Sequence, residues 1–317
     1  MCKNYVHLIF IIIALSFTSL AQAIVLTPTT DPNTLINNIV GAGITVSPGS
    51  GSFTGTTNMA ATFSDGENPV GFNAGIVLMT GNVDDIPGPN PTNSVPETEG
   101  LPLSDEIIEA LADPDVNRLE PGDQDLSSIV GAGTFDAAVL EFEFQFGDGS
   151  IGGDLFFNFV FASEEYIDFV NSAFNDVFAL FVDGENIALI PDTNTPIAIN
   201  SVNASLNSAF YRNNVENTNG FPNLSLDTAL DGLTTVIAAN KLGLGVGPHQ
   251  IKFAVADTSD GFLDSAVFIE AGSFSDQQPE EQQSRQVSES PIVLMILLGF
   301  IGFGFARREC DFVISCK

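Results

Sequence analysis

Two acidic stretches hold the residues best suited to chemistry. The first opens with Ser163-Glu164-Glu165-Tyr166, passes Asp168 and Asn171, and closes with Asn175-Asp176. The second is Asp257-Thr258-Ser259-Asp260-Gly261-Phe262-Leu263-Asp264. Hard cations take several oxygen ligands from carboxylates, amides and carbonyls, and both stretches are rich in these. Neither follows the EF-hand pattern, whose ligands recur at set offsets before a terminal glutamate. The expectation is a shared calcium site, with Glu164 and Glu165 from one stretch and Asp257 and Asp264 from the other. The competing reading is acids that cap turns and face water. On that reading Asp264 accepts from backbone N–H groups two residues on. Tyr166 reads as a packing residue at a strand end rather than a platform for a ligand.

Other chemistries are poorly supplied. His249 is the only histidine after residue 23, no Gly-x-Ser-x-Gly elbow is present, and the cysteines are Cys2, Cys310 and Cys316. A hydrolytic triad and a zinc site both fail on that inventory. With no cysteine between them, the middle of the chain has no disulfide and must be held by core burial. A carbohydrate hydrolase working through two opposed carboxylates is the alternative function. Glu164 and Glu165 are adjacent and point to opposite faces of extended backbone, so each would need a distant partner. The absence of tryptophan removes the usual surface for stacking a sugar ring.

The elements that must position these loops are strands. Leu155 to Ala162, LFFNFVFA, is apolar on both sides and reads as a strand covered on both faces. Val177 to Val182 is a second such strand, turned back at Asp183-Gly184 through Ile187 to Ile190 as a hairpin. Val139 to Phe146 alternates, with Leu140, Phe142, Phe144 and Phe146 on one face and Glu141, Glu143 and Gln145 on the other. Phe72 to Gly81, Ile44 to Val46, Ile251 to Ala256 and Ala266 to Ala271 complete the predicted strands. Short helices are expected at Asp31 to Val40, capped by Asp31 with Pro32 in the first turn, and at Asp105 to Ala112. Residues 47–60, 84–100 and 200–223 read as turns and long loops, and Asp227 to Ala239 gives mixed signals. The fold class is all-β: an antiparallel β-sandwich, jelly-roll or lectin-like, with a few short helices.

Several of these pieces resemble the choice-of-anchor L family of bacterial surface domains. They are Phe161-Ala162-Ser163-Glu164-Glu165-Tyr166 with Phe174-Asn175-Asp176-Val177-Phe178, Gly75-Ile76-Val77-Leu78-Met79-Thr80-Gly81-Asn82, and Leu263-Asp264-Ser265-Ala266-Val267-Phe268. The resemblance covers about Leu35 to Phe274 and implies an exported, anchored domain.

The ends of the chain fit export. Residues 1–23 look like a signal peptide, with Lys3, an apolar core and cleavage after Ala23. The domain is expected over 24–274, a polar linker over 275–290, an apolar transmembrane or sorting segment over 291–308 and a tail over 309–317. The apolar run Pro291 to Ala306 followed by Arg307-Arg308 is similar to a PEP-CTERM sorting signal, although Ser-Glu-Ser-Pro stands in place of Pro-Glu-Pro. The formal net charge is −31. Between residues 24 and 290 only Arg118, Arg212, Lys241, Lys252 and Arg285 are basic. Such a field repels phosphate backbones, so nucleic acid is not an expected partner. The expected function is adhesion, or a structural role outside the cell, with polysaccharide or another surface component as partner and no catalysis.

Overall fold

Strands form where the apolar runs predict them, and they pair into two antiparallel sheets. A computed structural model of the protein describes residues 23–90, 120–215 and 220–278. The first sheet runs in the order β1 (Val25–Pro28), β4 (Ala60–Ser64), β5 (Gly75–Met79), β15 (Ser265–Glu270), β7 (Gly153–Ser163), β12 (Gly232–Thr234) and β11 (Tyr211–Asn213). A further strand, β13 (Ile237–Leu244), pairs with the start of β7. The second sheet runs β10 (Ile197–Ala198), β8 (Val177–Val182), β14 (His249–Thr258), β6 (Thr134–Phe146) and β2 (Ile44–Val46). Two short strands extend it, β3 (Ser52–Thr54) on β6 and β9 (Glu185–Asn186) on β8.

Most of the buried phenylalanines lie where the two sheets meet. Phe157, Phe159 and Phe161 of β7 face Phe142 and Phe144 of β6, Phe178 of β8 and Phe253 of β14, all within one buried cluster. Alternation sends the intervening residues the other way. Val160 and Ala162 join Phe63, Phe72 and Phe268 in a second cluster. Ala179, Phe181, Ala254 and Ala256 pack with Leu126 of helix α2 (Gln124–Val130) in a third. β7, β8 and β15 are thus covered on both faces over most of their length, which fits their largely apolar sequences.

Helix α1 (Pro32–Ile39) starts where the sequence predicts. The Asp31 carboxylate accepts from the N–H groups of Asn33 at 3.3 Å and Thr34 at 3.1 Å, two donors that the first turn cannot satisfy itself. Leu35, Ile36 and Ile39 enter the main core.

Several expectations need correction. The return strand of the hairpin after β8 is only Glu185–Asn186, and of Ile187 to Ile190 only Leu189 makes a bridge, to Pro196. β6 begins at Thr134, five residues before the alternating stretch. Asp227 to Ala239 contributes β12 and the start of β13, and residues 47–60 include β3. In each case pairing to a neighbouring strand decides the state, which local pattern does not encode. The expected helix at Asp105 to Ala112, the leader and the C-terminal apolar segment lie outside the described residues. Among the described residues no helix is long and apolar enough to cross a membrane.

The long strands run up and down between two common ends. β7 rises from Gly153 to Ser163 and β14 from His249 to Thr258, while β8 and β15 descend. Ser163, Asp176, Thr258 and Ser265 therefore collect at one end, and Gly153, Val182 and His249 at the other. Ser265 of the first sheet donates to Asp176, beside β8 of the second, at 2.7 Å, so the two sheets are level at the first end.

Candidate functional site

Both acidic stretches leave the sheets at that first end. Ser163 and Ser265 are opposite one another in the β7–β15 ladder, so the chain after one and before the other must run side by side. Glu164 and Asp264 clasp across the gap. The Glu164 N–H donates to the Asp264 carbonyl at 3.1 Å, and the Asp264 N–H donates to Glu164 Oε2 at 3.2 Å. Thr80 adds a long 3.5 Å contact from its hydroxyl to Asp264 Oδ1 and accepts the Ser265 N–H at 2.9 Å.

The remaining acids sit deeper. Glu165 is 2% exposed and Asp176 and Asp257 are each 1% exposed. Asp176 is well held, with Oδ1 accepting the Thr258 N–H at 2.9 Å and Oδ2 accepting the Ser265 hydroxyl at 2.7 Å. Glu165 Oε2 and both carboxylate oxygens of Asp257 have no hydrogen-bond partner of good geometry. Asp257 interacts with the Thr80 hydroxyl and the Asp176 carboxyl. Ile251, Phe253 and Val255 point inward from β14; the ladder with β6 shifts register between Val255 and Asp257, and Asp257 faces the first sheet, where it meets Thr80 and Asp264.

Burial and crowding both oppose ionisation here. Glu165 is pushed up to about 9, by burial first and then by the charges of Asp176, Asp260, Asp168 and Glu164. Asp176 is pushed up to about 7 by burial, against the hydrogen bonds from Ser265 and Thr258. Asp264 also reaches about 7, through burial and then Glu164, Asp136 and Asp85. Asp257 lies well above the carboxylate range because it is buried and faces Asp176 and Asp264. Glu164 is raised by burial, with the Asp264 N–H opposing. Asp231 rises to about 6, again mainly by burial.

No basic group offsets this. Lys241 pairs with Glu185, and Lys252 with Asp123 and Asp125. Arg212 donates to the Thr234 and Val70 carbonyls. These are the only lysines and arginines among the described residues; Arg212, on β11 near the acid end, is taken up by carbonyls, so none of them pairs with a carboxylate of the cluster. His249 is at the far end, with Nδ1 2.7 Å from Asp183 Oδ2 and Nε2 3.0 Å from the Gly245 carbonyl. It holds a loop and has no part in the acid cluster.

The four predicted residues, Glu164, Glu165, Asp257 and Asp264, thus all come to one end. Asp264 makes no turn cap with the N–H two residues on; its backbone and side chain engage Glu164 and Thr80 instead. Tyr166 is buried and packs on Tyr211 and Phe161, at ring separations of 5.0 and 6.5 Å. The sequence reading left Asp176 out of the site. Its signal was an aspartate directly before Val177 to Val182, a strand buried at every position, where the preceding side chain has little access to water. Among the described residues no three aspartate, glutamate, histidine or cysteine groups stand gathered as a metal-ligand set, so an ion here would have to draw the carboxyls inward.

A family model, the choice-of-anchor L domain, matches residues 24–275. The chain belongs to that family. No curated protein and no solved structure is similar enough to match. The choice-of-anchor L match takes in both acidic stretches and every described strand. It makes this a surface-associated bacterial protein, in a family that is not one of enzymes.

Gly81 gives a direct test of the clasp. A side-chain methyl at this position would overlap the Asp264 carboxylate, although the backbone itself would tolerate alanine. Gly81→Ala should displace Asp264 from Glu164 and Thr80. The expected cost is about 1–3 kcal/mol, the usual range for overpacking, read as a lowered urea midpoint with an unchanged slope. A midpoint equal to wild type would mean that the clasp is not rigid.

Proposed function

We propose that this protein is an exported surface module whose acid end binds calcium. Through that end it holds a polysaccharide or another extracellular surface component, without catalysing a reaction. The observation that carries this reading is Asp257, buried with neither oxygen in a hydrogen bond of good geometry, facing two further acids and paired with no basic residue. A buried, unpaired carboxylate is costly, and the cluster needs either protons or a metal ion to be neutral. Calcium suits it because the ion accepts irregular sets of oxygen ligands, whereas magnesium demands a tight octahedron and gives up water reluctantly. Glu164, Glu165, Asp257 and Asp264 would supply oxygens, joined by Asp176. The depth of Glu165, Asp176 and Asp257 argues against a hydrolase, since an acid this buried has no surface to offer a glycosidic bond. The apolar run at 291–306 is read as the membrane anchor or sorting segment, following cleavage after Ala23.

Thermal melting tests the ion. A ligand that binds only the folded state at a hundredfold excess over its dissociation constant adds ~2.7 kcal/mol, so calcium should raise the melting temperature of the chelator-treated protein by several degrees. Magnesium should do much less, and Asp257→Asn or Asp264→Ala should abolish the calcium response. If chelator, calcium and magnesium give coincident curves, no ion binds. Retention of the protein on its own cell-surface polysaccharide, with and without chelator, then separates binding from mere stabilisation.

A further inference from the structure

The end opposite the acids carries the most exposed large apolar side chains of the described chain: Val246 at 70%, and Ile151 and Leu242 at 62% each. They stand on two adjoining tips. One is the turn between β6 and β7, and the other is the Gly-rich stretch from the end of β13 into β14. The Gly247 N–H donates to the Gly149 carbonyl at 3.2 Å, and the Gly243 N–H to Asp154 Oδ1 at 2.8 Å. His249 braces the second tip through the Gly245 carbonyl. The apolar side chains are therefore held outward on pinned loops.

The chain also leaves the domain at this end. The Asp276 N–H donates to the Ala42 carbonyl at 3.1 Å, and Gly43 in turn accepts from the N–H of Gly147, in the first tip, at 2.8 Å. Beyond Gln278 the sequence continues through a polar stretch into PIVLMILLGFIGFGFA. Charges at the tips do not suit an anionic surface: Asp148, Asp154, Asp183 and Glu185 are there, and the cations present are engaged, Lys241 with Glu185 and His249 with Asp183.

We propose that this end of the sandwich docks on a lipid bilayer, with Ile151, Leu242 and Val246 inserted among the acyl chains. The inference rests on the reading of residues 291–306 as membrane-seated, because that reading puts a bilayer within reach of the point where the chain exits. Aliphatic side chains projecting from pinned loops match the depth of an interfacial contact, and their lack of free cations selects hydrophobic insertion over headgroup attraction.

The chain has no tryptophan, so a single introduced indole reports its own surroundings. Full-length Val246→Trp, reconstituted in phosphatidylcholine vesicles brominated on the acyl chains, should emit at shorter wavelength than in buffer and lose at least half its intensity. Leu224→Trp is the control. Leu224 is 47% exposed and its N–H donates to Asn213 on β11, at the acid end, so its emission should match that in buffer. Flotation of the vesicles scores membrane seating separately. Protein that floats with both indoles unquenched overturns the docking and leaves the anchor standing, whereas protein that does not float overturns both. Equal quenching of the two indoles, or a blue shift of Val246→Trp that appears without lipid as concentration rises, also overturns it; the latter assigns the tips to a second copy of the chain.

Discussion

In chelator, the melting temperature of this protein should fall by roughly 10–20 °C as pH is raised from 5 to 9, with the steepest loss between about 5 and 7 and a shallower one above. The sign follows from the acid end. A carboxyl whose folded pKa lies above its unfolded value binds more protons in the folded state, so stability drops as pH climbs from the ordinary carboxylate range through the folded value. Asp176 and Asp264 place that window up to about 7, and Glu165 extends it to about 9. Taken together, and allowing for relaxation of the cluster, the effect is on the order of 5 kcal/mol, worth 2–4 °C per kcal/mol for a domain of about this size. Asp257→Asn keeps the shape and removes a buried charge, so at pH 8 in chelator it should melt above wild type. Calcium should reverse that order, because only wild type then has its ligand, and calcium addition near pH 7 should release protons as the carboxyls ionise around it. A flat melting profile across pH 5–9 in chelator would sink the account of the cluster.

Phe253→Ala should be the most damaging single truncation in the core. Phe253 is fully buried on β14, with its ring 6.2 Å from Phe142, 6.1 Å from Phe157 and 6.2 Å from Phe274. These neighbours come from both sheets and from the segment after β15, so no single shift can refill the space. The expected loss is about 3–5 kcal/mol, measured by urea denaturation in calcium at constant pH. Phe181→Ala offers a contrast. Phe181 is 8% exposed on the outer face of the same sheet, against α2 and with the Lys252 ammonium 5.4 Å from its ring. Surface rearrangement and water can fill its place, so its cost should be less than half as large.

Much of this arrangement was legible in the residues. LFFNFVFA could only be a strand wrapped on both faces, and VLEFEFQF could only present phenylalanines to one side. Those two patterns place β7 and β6 and bring the loops beyond β7 to a sheet end. The cap at Asp31 was visible because aspartate before proline and a short apolar stripe has few other uses. The site was legible in membership but not in depth. Glu164, Glu165, Asp257 and Asp264 were chosen as oxygen donors from loops, yet Asp257 is the last inward position of a strand and Glu165 turns under the sheet. Knowing that needs the ladder register between β15 and β7, a contact between residues about a hundred positions apart. The same limit hid β12 and β13, whose short or mixed sequences become strands only because β7 offers them an edge.

The unbroken strands also give the molecule an electrical property. β7 spans 11 residues, and at ~3.3 Å per residue it separates its two ends by roughly 35 Å. The Debye length at physiological ionic strength is about 8 Å, so the potential of the carboxyl pole has decayed through several screening lengths before it reaches the apolar pole. The sandwich works as an insulating standoff. If both proposals hold, pH or calcium acting on the carboxyl pole would change what that pole holds, while hydrocarbon contact at the opposite pole would not feel the potential of the cluster.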